Sequence, residues 1–215
     1  MIGLCGANGV GKSTLAEDAA PLIELPYVRT TTSAIFKQMG LDPSQRLSFE
    51  NRMEVQNRIL KALDAQYAEV GDGRFITDRT PMDMLGYTFV EIGQEPLTAD
   101  QEFELRKYVH QCVEVTNKRF SVLIVVHPPY EHFYRPMKVE GKAVSSWGFV
   151  EHLSRVIMGQ VVHPSVRPAH YFIPPTMTDR KQRVNAVCHV YKSMNEQMLQ
   201  RLASAEEMGQ GVVFH

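Results

Sequence analysis

Apolar residues along this chain alternate between short unbroken runs and longer stretches of helical spacing. Residues 1–5 form a brief apolar run cut off by glycine, and residues 12–20 continue in a helix-compatible pattern, so the chain opens as strand, loop, helix. Residues 21–28 hold a turn and a second short apolar segment, after which the hydroxyl cluster Thr30, Thr31, Thr32 and Ser33 predicts a helix start. Beyond Gly40 and Pro43, residues 48–68 place Val55, Ile59, Leu60 and Leu63 at helical spacing with charges between them. That is a long amphipathic helix, ended at Gly71, Asp72 and Gly73. Residues 74–78 read as a short buried strand, and Thr80-Pro81-Met82-Asp83 is a capping box with proline at the first helical position, predicting a helix over 81–92.

Thr98 and Gln101 predict another cap, opening a helix that carries Phe103, Leu105, Tyr108, Val109 and Val113 and ends near Asn117. Residues 121–126 are a β-branched apolar run stopped by His127-Pro128-Pro129, the signature of a strand buried on both faces. Residues 128–148 have no clean period and mix Tyr130, Phe133, Tyr134 and Trp147 with Arg135, Lys138 and Lys142, as a long functional loop does. Helical spacing returns over 149–162, a last short strand covers 170–173 before Pro174-Pro175, and Thr178 is expected to cap a final helix reaching about Ala205. Strands alternating with helices of this length predict an α/β fold, three layers α/β/α around a mainly parallel five-stranded sheet. We expect one domain over residues 1–215, with a lid or insert within 128–168.

Composition narrows the setting. With 23 basic against 24 acidic residues, no global field drives the chain onto nucleic acid or an anionic membrane. Cys5, Cys112 and Cys188 are odd in number and widely spaced, which suits reduced thiols better than a disulfide framework and points to the cytoplasm. The first residues run straight into the glycine loop and no apolar stretch approaches membrane-spanning length, so we expect the fold to begin at residue 1 with no targeting segment and no membrane partner. The eight histidines lack metal-site spacing, and the methionines fit core packing.

The chemistry is concentrated in Gly6-Ala7-Asn8-Gly9-Val10-Gly11-Lys12-Ser13, which satisfies G-x-x-x-x-G-K-[S/T] between a strand and a helix. Glycines at 6, 9 and 11 let the backbone aim several N–H groups at phosphate oxygens, and the following helix adds its positive end. Lys12 is expected to bridge the β- and γ-phosphates, Ser13 to coordinate Mg²⁺ and Thr14 to touch the α-phosphate, which makes ATP and Mg²⁺ the expected cofactors. Asp78, at the end of the predicted strand beside this loop, lies where open α/β sheets bind ligands. It could take a proton from an attacking hydroxyl or hold a water on Mg²⁺. Arg79 offers a planar fork to an acceptor phosphate or to the transferring group. Asp83 reads as a capping residue, and Arg52 and Arg58 could face the cleft or the solvent, with solvent the default for helix arginines.

The glycine loop over residues 6–13, the pair Asp78-Arg79 and the order of elements together resemble the P-loop nucleoside and nucleotide kinases, especially phage-type deoxynucleoside monophosphate kinases. In that superfamily the third strand ends in an acidic residue followed by arginine, residues after the second strand hold the acceptor, and a lid falls between the fourth and fifth strands. The resemblance therefore implies Arg29 as an acceptor-binding residue, Arg135 as a substrate-binding residue in the lid interval with Lys138, Lys142 and Arg155 nearby, and Arg180 beside the adenine. It implies ATP-dependent transfer of the γ-phosphate to a nucleotide or nucleoside, foremost a (deoxy)nucleoside monophosphate. Rings interleaved with cations over 130–147 also suit an extruded base, so a kinase of a hydroxymethylated pyrimidine in DNA is the alternative. A P-loop NTPase regulator is a further alternative, although neither Asn-Lys-x-Asp nor a long apolar strand ending in Asp-Glu occurs. Expected partners are thus a small nucleotide or nucleoside, DNA in the alternative, and a homodimer as an open possibility of assembly.

Overall fold

A computed structural model describes residues 1–30, 32–42, 45–70, 73–93, 96–129 and 146–207. Its elements run β1 (Ile2–Cys5), α1 (Lys12–Ala19), β2 (Tyr27–Val28), α2 (Thr32–Gln38), α3 (Phe49–Ala68), β3 (Ile76–Thr77), α4 (Pro81–Ile92), α5 (Ala99–Arg119), β4 (Val122–Val126), α6 (Trp147–Val161), β5 (Ala169–Ile173) and α7 (Arg180–Glu207). The strands form one sheet in the order β2-β3-β1-β4-β5 with every pairing parallel. The predicted α/β class and the five-stranded sheet both hold. Each strand-to-strand crossover carries a helix, and the helices fall into two sets: α1 packs on α7, while α3, α4, α5 and α6 pack on one another.

Local chemistry explains the boundaries. Ser48, Thr80, Thr98 and Ser146 each accept the N–H of the residue three ahead and so begin α3, α4, α5 and α6. The Thr80–Asp83 and Thr98–Gln101 capping boxes form in full, as predicted. The last helix opens later than expected: the carboxylate of Asp179, rather than the Thr178 hydroxyl, accepts the Gln182 N–H at 2.8 Å. Gly71 and Asp72, expected to end α3, lie outside the described residues, as do Thr31, Pro43 and residues 130–145 with Tyr130, Phe133, Tyr134, Arg135, Lys138 and Lys142.

β1 and β4 are buried along their whole length, as their unbroken apolar runs require in a parallel sheet covered on both faces, whereas β5 at the edge is largely exposed. Ile2 pairs with both Ile76 and Val122, which sets the C-terminal ends of β1, β3 and β4 side by side. Close helix contact is possible at Gly86 of α4, where an added Cβ would lie 2.4 Å from Ile157 of α6. Tyr67, Phe75 and Phe120 form an aromatic triad with centroids 5.0–5.8 Å apart. The triad also reaches the chemistry, because the Tyr67 hydroxyl donates to the Arg79 carbonyl at 2.7 Å and fixes the chain just past β3. Cys5 and Cys112 are buried free thiols, and among the described residues no helix is long and apolar enough to cross a membrane.

Candidate active site

The loop between β1 and α1 turns at Gly6, Gly9 and Gly11, with φ of 147°, 81° and 92°, a backbone region that side chains disfavour. At Gly6 space adds a second constraint, since a Cβ there would stand 2.6 Å from the Val126 carbonyl oxygen. The loop is braced from outside. Gly6 N–H donates to Asp83 Oδ1 at 2.7 Å and Asn8 N–H to the Tyr87 hydroxyl at 3.0 Å, both acceptors on α4. Ala7 and Val10 are buried, which anchors the loop by its side chains. In contrast to α3, α4, α5 and α6, helix α1 has Gly11 at its N-cap and no side-chain cap. The first amides of that helix, around Lys12, Ser13 and the exposed Thr14, therefore present their positive end as an anion site.

Lys12 is folded back into the loop, its Nζ donating to the Gly6 and Ala7 carbonyls at 2.5 and 2.8 Å. Burial, with the neighbouring Arg79 guanidinium, depresses its pKa from 10.5 to about 8, and the carboxylates of Asp83 and Asp78 oppose the shift only in part. A cation so weakly compensated gains most from an arriving polyanion.

Asp78, Arg79 and Asp83 follow β3 and meet this loop. Asp78 Oδ2 accepts the Ser13 hydroxyl, while Asp78 Oδ1 is buried with no partner among the described residues. Asp78 as a whole is 7% exposed. A hydroxyl beside a carboxylate with a spare oxygen is a hard-oxygen donor pair, and it fits Mg²⁺. Arg79 donates to the Asn8 side-chain oxygen at 2.6 Å and lies 5.7 Å from the centre of the Tyr87 ring, so its direct partners are neutral while the Asp83 and Asp78 carboxylates act on its charge from nearby. Tyr27, facing Ile76 across the β2–β3 pair, lies on the same side of the sheet as Asp78, and its buried hydroxyl is raised in pKa by burial and by that carboxylate. No sequence signal singled out Tyr27 or Tyr87.

Residues 1–120 match the family described as the AAA domain, and this stretch contains the loop, Ser13, Asp78, Arg79, Asp83 and Tyr87. The chain belongs to the AAA domain family. No curated protein sequence matches it significantly. Solved structures share the fold of this AAA domain at low identity. A deoxyadenosine kinase from M. mycoides with dCMP and dCDP bound is 14% identical, with a TM-score of 0.61 and coverage of 90% of this chain and 98% of that one. A thymidylate kinase from Candida albicans is 11% identical, with a TM-score of 0.65 and coverage of 90% and 91%. A NadR protein in complex with NR is 15% identical, with a TM-score of 0.63, covering 88% of this chain and 50% of that one. The chain thus has the architecture of the P-loop nucleotide kinases.

Three residues expected near the site make their ion pairs outside this cluster. The Arg29 side chain is 69% exposed and pairs with Glu17 of α1 at 3.6 Å. Arg180 makes a bidentate pair with Asp18 of α1 at 2.5 and 2.7 Å, which ties the start of α7 to α1. Arg155 pairs with Glu151 one turn away on α6. Arg135 lies outside the described residues. Arg58 is solvent-facing as expected and pairs with Glu54, but Arg52 is buried and bridges to Glu91 of α4, because its position falls in phase with the apolar face of α3.

Asp83 does more than cap. Besides its bonds with Thr80 at 2.8 and 2.9 Å it holds Gly6, and burial raises its pKa against the pull of Lys12 and Arg79. Asp83→Ala strips a buried acceptor from both Gly6 and Thr80, and we expect urea denaturation to show a loss of about 3 kcal/mol. A loss below about 1 kcal/mol would mean the loop does not depend on this tether.

Proposed function

We propose that the chain is an ATP-dependent kinase whose phosphate loop holds the donor triphosphate and whose acceptor is a nucleotide or nucleoside, foremost a (deoxy)nucleoside monophosphate. The observation that carries this reading is the junction of the two halves: Ser13 of the donor loop bonded to Asp78, with Arg79 of the next position laid on Asn8 of the same loop. Such a junction supports the reading, because an oxygen pair and a cation side by side are what transfer of a γ-phosphate from one partner to the other needs. Two structural neighbours support the coarser acceptor class of nucleotide or nucleoside, since the M. mycoides protein is a deoxyadenosine kinase with dCMP as a product and the Candida protein is a thymidylate kinase.

In this reading the amides of Gly9, Gly11, Lys12 and Ser13 cradle the phosphates and Lys12 neutralises charge on them as the bond to the γ-phosphorus loosens. Ser13 and Asp78 would hold Mg²⁺, which supplies charge neutralisation between the β- and γ-phosphates when bound. Arg79 leaves the neutral Asn8 amide for a phosphate oxygen, a stronger partner for a guanidinium. The test is incubation with γ-labelled ATP against nucleosides, their monophosphates and DNA carrying hydroxymethylated pyrimidines. Label is expected in a nucleoside diphosphate. Label in DNA would transfer the assignment to a base kinase, and label released only to water would end the kinase reading.

A further inference from the structure

Arg183, in the first turn of α7, is 8% exposed and spends its guanidinium on three main-chain carbonyls. Nη1 donates to Val10 at 2.9 Å, Nη2 to His127 at 3.2 Å and Nε to Met177 at 2.7 Å. These carbonyls belong to the phosphate loop after β1, to the residue just past β4 and to the turn after β5, so one side chain joins three strand ends on the edge of the sheet where the candidate site lies. Carbonyls satisfy the hydrogen-bonding geometry of a guanidinium, yet they leave its charge uncompensated. Among the described residues no carboxylate is within ion-pair distance of Arg183, and burial alone accounts for its lowered pKa. A buried charge without a counter-charge is costly, and it persists where something else in the working protein balances it.

The position of the charge identifies what that is. A Cβ added to Gly11 would lie 3.8 Å from Arg183 Nη1, so the guanidinium stands directly behind the last glycine of the loop. In a trans peptide the C=O and N–H point in opposite directions. Holding the Val10 carbonyl outward on Arg183 therefore aims the Gly11 N–H inward, toward where the phosphates lie.

We propose that Arg183 is a positioning residue of the donor site, which orients the peptide between Val10 and Gly11 and takes the nucleotide's triphosphate as its missing counter-charge. The inference rests on the loop's reading as a triphosphate site and is independent of what accepts the phosphate. It is tested by calorimetric binding of MgATP and of inorganic tripolyphosphate to the full chain carrying Arg183→Lys or Arg183→Met, alongside thermal melts with and without MgATP. Arg183→Met is expected to weaken both ligands by a similar factor of about 30, the scale of one charge-assisted contact. Arg183→Lys should recover part of that loss, because it restores the charge and not the fork. In turnover, KM for ATP should rise more than kcat falls. The melting shift produced by MgATP should shrink in both variants, whatever drop in the ligand-free melt follows from the carbonyls of Val10, His127 and Met177 losing their donor. Affinities within twofold of the parent in either variant would overturn the proposal, and so would a ligand-free melt that drops while the MgATP shift is preserved, the mark of a purely structural strut. Should Arg183→Met fail to fold, the Lys variant decides by the same criteria. If the parent binds ATP through Arg183 but labels no acceptor, the kinase reading falls and this one stands.

Discussion

Lys12→Ala is expected to abolish phosphoryl transfer, with kcat down by at least about 10³-fold, since charge neutralisation at the transferring group is most of what a protein contributes to this chemistry. Its Nζ already sits in the loop, bonded to Gly6 and Ala7, so the cation needs only to exchange two carbonyls for phosphate oxygens. Its pKa, depressed to about 8, gives the prediction a second arm. Below pH 8 the lysine is protonated whether the chain is folded or not, and stability owes nothing to its titration. Between 8 and its ordinary 10.5 the folded chain sheds this proton while the unfolded chain keeps it, so the ligand-free protein gains stability as pH rises. ATP affinity moves the other way over the same window, falling by up to about tenfold per unit, because binding must restore the proton. Denaturation and calorimetry at pH 7.5 and 9.5 check both slopes. Lys12→Ala should flatten both, and a parent whose ATP affinity is constant across that window would show that Lys12 is not the residue that meets the phosphates.

What could be read from residues alone was whatever is encoded locally. The glycine loop, the two capping boxes and the doubly buried strand announce themselves within eight residues, and each is found where its pattern placed it, the strand at Val122–Val126 against an expected 121–126. Asp78 and Arg79 were legible because a strand end beside the loop is a position and not a contact. Partners far apart in sequence left fainter traces. Gly6 and Asp83 are 77 residues apart and Val10 and Arg183 are 173 apart, and no periodicity reports such a pair. A trace existed even so: Arg183 precedes Val187 and Val190 at helical spacing, and Arg52 precedes Val55 and Ile59 in the same way, so both arginines lie in an apolar stripe where a charge needs a reason. Arg29 follows β2 as expected, and its side chain is paired with Glu17 of α1, a contact that the local pattern does not report.

Asp78→Asn separates the donor half of the site from the chemistry. The amide keeps the size of the carboxyl and one oxygen able to accept the Ser13 hydroxyl, so the loop, Lys12 and the uncapped start of α1 stay in place. ATP affinity should accordingly remain within about threefold of the parent, since most of the binding charge is elsewhere. The substitution does remove the negative charge and puts an NH₂ donor on one side, where the parent has a buried oxygen without a partner among the described residues. Neither proton acceptance nor the holding of a cation survives that exchange, and kcat should fall by about 10²- to 10⁴-fold. The Mg²⁺ dependence then tells the two roles apart. If Asp78 holds the ion, the half-saturating Mg²⁺ concentration for the residual activity rises about tenfold; if it acts as the base, that concentration is unchanged and only the rate is lost. Because Arg79 and Lys12 would still be poised on the loop, a variant with the parent's kcat would place the acceptor's activation on another residue and leave Asp78 as the partner of Ser13 alone.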